Sequence, residues 1–222
     1  MGFIFFNRNK HMEELSITNI LLAVTALISF IGFNNRPFFN QLAHIPSIEA
    51  RDKSYYRLVT SGFLHGDFFH LLINCFVIYS FGNYVEYCYK VILGEVAGRN
   101  MFLIFYLLTV GASSILSYFK HQNNPGYSAI GASGGAAGLL FTYVLLDPWE
   151  KVYLYGVFGL PAIIFGVLYL GYETYLGKQN NDNIGHDAHI SGAIFGFIFS
   201  AIVLKGVLIE FFQKLSTFNF QI

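Results

Sequence analysis

The sequence predicts an all-α fold, a polytopic membrane bundle of six transmembrane helices. Three observations carry that reading. The 222 residues are 55% hydrophobic and only 12% charged, whereas a soluble domain carries about 25% charged residues. Trp149, Tyr84, Tyr87, Tyr89 and Tyr175 stand near the ends of apolar runs, where interfacial anchors belong. Runs long enough to span a bilayer recur six times, at 16–33, 68–85, 101–119, 129–146, 152–176 and 188–209. The net charge is zero and the thirteen Lys and Arg are scattered, so no nucleic-acid surface is indicated. Cys75 and Cys88 read as small apolar fillers, with neither a disulfide framework nor a thiolate metal site.

Taken in order, residues 1–15 mix the apolar patch Phe3 to Phe6 with Arg8, Lys10, Glu13 and Glu14. They lack the long apolar core and cleavage site of a signal peptide, and are expected to be a cytoplasmic N-terminal segment. Residues 16–210 form the expected membrane domain and 211–222 a C-terminal tail. The first connection, 34–67, combines charges with Phe38, Phe39, Leu42, Ile45, Tyr55 and Tyr56. A connection so long and apolar is expected to rest in the bilayer interface and to shape or guard a site. In the fifth run, Pro161 and several glycines predict an interfacial lead-in over 152–160 and a span that starts near Pro161. Arg8, Lys10, Lys90, Arg99, Lys151, Lys205 and Lys214 would share one side. Only Lys120 and Lys178 oppose them outside the first loop, which itself adds Arg36, Arg51, Lys53 and Arg57. The N-terminus is therefore expected in the cytoplasm, and the bare six-span form suggests a bacterial inner membrane.

Polar groups inside spans are costly, so their positions carry information. His70 and Asn74 are four apart near the start of span two and share a helix face. Ser133 opens span four among Gly131, Gly134, Gly135 and Gly138, and His189 opens span six ahead of Gly192 and Gly196. Spans two, four and six run the same way in an alternating bundle, so these groups lie at similar depth near one surface. The Gly131-xxx-Gly135, Gly134-xxx-Gly138 and Gly192-xxx-Gly196 patterns would let spans four and six approach closely. Such packing could bring the Ser133 hydroxyl within reach of the His189 ring, as a Ser nucleophile requires of its base. His70 and Asn74 could then donate to a developing oxyanion.

The segments Arg57-Leu-Val-Thr-Ser-Gly-Phe-Leu-His65, His70-Leu-Leu-Ile-Asn74, Phe81-Gly82 with Val85-Glu86, Gly131-Ala-Ser133-Gly134 and His189-Ile-Ser-Gly192 with Gly196 stand in that order. In this the chain resembles the rhomboid intramembrane serine proteases, over roughly residues 56–200. The resemblance implies a rhomboid-like fold, Ser133 as nucleophile and His189 as base in a dyad without an Asp. It also implies an oxyanion hole from His70, Asn74 and the Ser133 backbone N–H. The expected substrates are single-span membrane proteins with helix-weakening residues and a small residue at the cut, and no metal or nucleotide is needed. The chain departs from the family at Ala137, where some members place an aromatic ring on the catalytic His. His189 must then be held by something else, such as a residue of span five or His186.

Each polar residue also has a plainer reading. Taken singly, His70 or Asn74 is interhelical hydrogen-bond glue and Ser133 part of a packing face. His65 reads as structural, satisfying the first loop's backbone, and His186 as either support for the site or a solvated loop residue. His11, His44 and His121 read as surface or loop residues, Arg57 and Glu86 as fixing loop and span ends, and Asp147 and Trp149 as marking the end of span four. Asp187 lies two residues from His189 and would point elsewhere. Two further functions compete with the protease. A metal-dependent hydrolase would use His65, His70, His186 and His189, but the chain lacks His-Glu-x-x-His and no intramembrane carboxylate is expected beside the histidines. A non-catalytic binder of membrane proteins would need neither Ser133 nor His189. A transporter is disfavoured by the lack of paired charges and of an inverted repeat.

Overall fold

The computed structural model describes residues 16–154, 158–179 and 185–217. It is built almost wholly of helices. Helix α1 (Ile17–Asn34) is followed by three short helices in the long first connection: α2 (Arg36–Leu42), α3 (Pro46–Asp52) and α4 (Arg57–Thr60), the last running into a 3-10 turn at Ser61–Phe63. Then come α5 (Phe68–Leu93), α6 (Glu95–His121) and α7 (Ser133–Leu146). A hairpin of β1 (Lys151–Leu154) and β2 (Phe158–Pro161) leads into α8 (Ala162–Gln179), α9 (His186–Val203) and α10 (Val207–Ser216). Helices α1, α5, α6 and α9 are each long and apolar enough to cross a membrane.

The short α7 is the hub. Every residue from Gly134 to Leu146 is buried, which is why its apolar residues show no helical stripe: all its faces meet protein. Its 14 residues reach only about 21 Å, less than the run 129–146 suggested. Residues 129–132 instead form a connection that enters the bundle. Ala129 exchanges two backbone hydrogen bonds with His44 (3.1 and 2.9 Å), and the Gly131 N–H donates to the Ser61 carbonyl at 3.0 Å.

Glycines set how closely the hub is embraced. A Cβ built on Gly192 would lie 2.1 Å from the Gly134 carbonyl oxygen, and one on Gly196 2.5 Å from the Gly138 Cα. The expected Gly134/Gly138 and Gly192/Gly196 contact between α7 and α9 is therefore present. The Gly131-xxx-Gly135 face is not, because Gly131 precedes the helix, and Gly135 packs on Val110 and Tyr106 of α6. A polar ladder crosses the same seam: Thr142 Oγ1 donates to the Gly196 carbonyl at 3.1 Å, and Ser200 Oγ lies 2.9 Å from both Thr142 Oγ1 and Tyr89 Oη.

Several boundaries differ from the sequence reading. Helix α5 runs on to Leu93, past the apolar run. The lead-in over 152–160 is a β-hairpin in its described part, with Lys151 opposite Pro161, so the fold is not purely helical. The last span ends at Val203; Gly206, at φ 89°, turns the chain into α10, which straddles the expected boundary at 210. Val207 and Phe211 of α10 are buried in the core, because the helix is amphipathic rather than a continuation of the span. The expected N-terminal segment 1–15 and His11 lie outside the described residues.

The polar end markers behave as read. The Glu86 carboxylate accepts from Ile17 N (2.9 Å), Thr18 N (2.8 Å) and Thr18 Oγ1 (2.7 Å), satisfying the orphan N–H groups at the start of α1. Arg57 Nη1 donates to the Asn40 and Ala43 carbonyls at 2.6 and 2.9 Å and so ties the first connection together. Asp147 follows the last residue of α7, where it accepts from Tyr84 Oη and Lys214 Nζ. His44 does not stay at the surface. It is 1% exposed, with Nδ1 at 2.7 Å from Glu49 Oε1 and Nε2 at 2.9 Å from Ser117 Oγ. Three residues that look hydrophilic singly pair with one another when brought together, leaving Glu49 Oε2 without a hydrogen-bond partner among the described residues. His121 stacks on Tyr127 with ring centroids 3.8 Å apart. Cys75 and Cys88 are free thiols, half-buried rather than filling the core.

Candidate active site

The site forms where the starts of α5, α7 and α9 meet. Asp67 caps α5 by accepting from the His70 N–H at 2.9 Å, which places His70 in the first turn. Asn74, one turn on, is buried and its amide donates to the His70 carbonyl at 2.9 Å. Gly131 has φ 119°, a conformation an L side chain rarely adopts. A Cβ there would meet the His70 ring at 2.9 Å and come within 3.8 Å of Ser133 Oγ. The His70 ring and the Ser133 hydroxyl therefore converge on the Gly131 backbone, which has no room for a side chain.

His65 holds the turn before α7. It is fully buried. The Ala132 N–H points at its Nε2 from 3.4 Å, so Nδ1 carries the proton and donates to Ser29 Oγ at 2.9 Å; that hydroxyl in turn donates to the Phe63 carbonyl at 2.9 Å. Burial pushes its imidazole down to about 3, which keeps the ring neutral and this proton arrangement fixed. The backbone it serves is that of the Ser133 turn, not of the first connection alone. Its ring also packs edge-on against His70, with centroids 4.8 Å apart.

The other wall comes from α9 and α8. His189 lies one turn before Gly192, the residue in contact with Gly134, so Ser133 and His189 stand at the same end of the α7–α9 seam. Among the described residues, no hydrogen bond joins the Ser133 hydroxyl to the His189 ring. His189 Nδ1 lies 3.0 Å from Glu173 Oε2 of α8, in ion-pair range though off the hydrogen-bond line. The same Oε2 is 2.6 Å from His186 Nδ1. Tyr169, one turn before Glu173, lies nearly parallel to the His189 ring at 6.5 Å and 27°. Asp187 turns away to Lys120 Nζ at 2.8 Å.

Glu173 is the residue the sequence reading missed, and it overturns the expectation of no intramembrane carboxylate beside the histidines. Its signal was present as an ionisable side chain in an apolar run, four residues after Tyr169. The four histidines of the metal hypothesis divide into two pairs, His65 with His70 and His186 with His189. The one group with metal-ligand spacing among the described residues is Glu173, His186 and His189, whose ligand atoms lie within 4.8 Å of one another. There a single carboxylate oxygen faces both ring nitrogens, hydrogen-bonded to His186 Nδ1 and in ion-pair range of His189 Nδ1. A cleft of about 510 Å³ opens beside the site, between the end of α1, α2 and the turn before α5; of the site residues only His65 lines it.

A model of the rhomboid domain matches residues 52–206, most of the chain. The chain belongs to the rhomboid family. It is 26% identical over 156 residues to RHOMBOID-like protein 12, mitochondrial, of Arabidopsis thaliana, covering 67% of this chain and 46% of that one. It is 28% identical to Rhomboid-related protein 1 of Caenorhabditis elegans, over 72% of this chain and 43% of that one. Rhomboid protease GlpG of Haemophilus influenzae is 26% identical over 202 residues, 89% of this chain and 96% of its own length. The chain thus spans under half of the first two relatives and nearly all of the third. With its apolar helices, membership makes it a multi-pass membrane protein of the rhomboid-like helical fold. Relatives named as mitochondrial, chloroplastic and bacterial all match, so they do not support a bacterial inner membrane over an organellar one.

Proposed function

We propose that this chain is an intramembrane serine endopeptidase that cleaves single-span membrane proteins in or near their span. In this reading Ser133 Oγ attacks the scissile carbonyl while His189 takes its proton. His189 then returns the proton to the leaving amine, and water releases the acyl group by the same route. The Ser133 N–H, at the start of α7, has no intrahelical acceptor and lies at the positive end of the helix dipole, where a developing oxyanion is favoured. His70 and Asn74 complete that hole.

The observation that supports this best is the turn at Gly131, φ 119°, on which the His70 ring and Ser133 Oγ converge: a Cβ there would lie 2.9 Å from the ring and 3.8 Å from the hydroxyl. An oxyanion donor must stand beside its nucleophile in this way, whereas a packing face does not require it. The six passes are α1, α5, α6, α7, α8 and α9; the short α7 lies inside the other helices and meets the surface through residues 129–132. The N-terminus is cytoplasmic, and the site opens toward the opposite face. That shallow position admits water for deacylation while the substrate helix unwinds locally. Bilayer lipid is the other partner.

The absence of a Ser133–His189 hydrogen bond favours a second reading, a rhomboid-like binder without catalysis. Catalytic hydrogen bonds are often long before substrate binds, so the protease reading stands first. The test is cleavage of a panel of single-span substrates in proteoliposomes. Products with new ends in or near the span, lost in Ser133→Ala, are expected; uncleaved substrates retained by the intact protein would favour the binder.

A further inference from the structure

We propose that Glu173 is a third member of the catalytic set, a positioning residue whose carboxylate holds His189 by Nδ1 and turns the dyad into a Ser133–His189–Glu173 triad. This rests on the reading of Ser133 and His189 as nucleophile and base.

A base that takes the Ser133 proton on Nε2 must carry its own proton on Nδ1, and nothing in an apolar span fixes that choice. Glu173 is placed to do so here by charge and proximity, though off the hydrogen-bond line. Its Oε2 is 3.0 Å from His189 Nδ1, and both side chains are largely buried, 7% and 14% exposed. His186 grips the same oxygen from the other side at 2.6 Å, so the carboxylate has little freedom to turn. Tyr169, on the same face of α8, faces this carboxylate and lies against the His189 ring, supplying from α8 the aromatic contact that Ala137 cannot.

The electrostatics agree with the geometry. When His189 accepts the Ser133 proton it becomes a cation in a partly desolvated place, which is costly unless paired. Glu173 supplies the countercharge without moving. The other titratable or charged groups around His189 are Tyr169 on α8, His186 and Asp187 on α9, and His70 on α5. Asp187 is engaged by Lys120 of α6, and the rest are uncharged in this arrangement or cationic when protonated. Glu173 is therefore the anion that can stabilise the protonated base. A carboxylate within a span is expensive to keep, and a tether between α8 and α9 would be met by His186 alone. The second short approach, to His189, is what a tether does not require.

The test uses the full chain in detergent, comparing intact protein with Glu173→Gln, Glu173→Asp and His186→Gln. The rate of Ser133 labelling by a fluorophosphonate is followed from pH 5 to 9, with thermal unfolding measured in parallel. Glu173→Gln is expected to slow labelling about a hundredfold or more at neutral pH and to move the acid limb of the rate profile to lower pH. Glu173→Asp should recover part of both, and His186→Gln, which keeps the carboxylate, should move the limb less than Glu173→Gln does. Labelling of Glu173→Gln at the intact rate with an unmoved limb, whatever its melting temperature, overturns the proposal while leaving Ser133 and His189 as assigned. Intact protein that does not label at Ser133 sinks the dyad itself. A measurement independent of how Glu173 variants fold is ¹⁵N-histidine NMR of Ser133→Ala: a protonated Nδ1 on His189 is expected, and a protonated Nε2 in its place overturns the proposal.

Discussion

Gly192 of α9 touches the backbone of Gly134 of α7 so closely that a Cβ on Gly192 would sit 2.1 Å from the Gly134 carbonyl oxygen. The obstacle is backbone, which cannot swing aside as a side-chain tip can. This contact fixes how far the start of α9, and with it His189, stands from the start of α7. Gly192→Val is therefore expected to cost about 3 kcal/mol and to abolish activity. Gly171→Ala, in the open on α8, should be neutral or slightly stabilising, by up to about 1 kcal/mol. Thermal unfolding of both variants in detergent separates them; equal melting temperatures would contradict the close-packed seam.

Gly131 predicts a different pattern. Its positive φ and the 2.9 Å approach of a Cβ to the His70 ring mean that Gly131→Ala strains the turn and pushes the His70 ring from its place near Ser133. Activity should fall tenfold or more while the melting temperature moves by a few degrees. A variant of undiminished activity would show that the placement of His70 near Ser133 is not used.

The Glu86 carboxylate accepts three hydrogen bonds at the start of α1. Glu86→Ala leaves two backbone N–H groups and a hydroxyl without that acceptor, for a loss of about 2–4 kcal/mol. Exposed Glu210→Ala should change stability by less than about 0.5 kcal/mol. Denaturation of the two variants side by side checks the difference, and equal stability would contradict the capping role.

His65 makes stability depend on pH with a definite sign. Its folded value is held down to about 3, while the unfolded chain titrates near 6.5. Between those values the unfolded state binds the extra proton, so its contribution is complete above about pH 6.5 and is lost as the pH falls toward 3. The loss is on the order of a few kcal/mol. Melting temperature followed from pH 7.5 to 4 should fall more steeply for the intact protein than for His65→Gln. Parallel slopes would show that the ring is not buried neutral.

Much of this was legible in the chain. The glycine pairs of spans four and six and the end-fixing roles of Arg57 and Glu86 follow from spacing and from the cost of polar groups in apolar surroundings. The depth of α7 did not: an apolar run of 18 residues reads as a span, and only packing reveals that its first four residues are a connection held by Ser61 and His44. Nor did His44, whose partners Glu49 and Ser117 come from different elements and become a buried trio only on folding. Glu173 was hidden differently. Its run offered one carboxylate and no histidine, and its partners lie 13 and 16 positions on, on the next helix, a separation that sequence periodicity does not bridge.

The most direct test of the central claim is labelling of the detergent-solubilised protein with a serine-directed fluorophosphonate, compared with Ser133→Ala and His189→Ala. An activated serine predicts strong labelling of the intact protein that disappears in both variants. Labelling that persists in Ser133→Ala, or that is absent from the intact folded protein, would contradict the assignment of Ser133 and His189 as nucleophile and base.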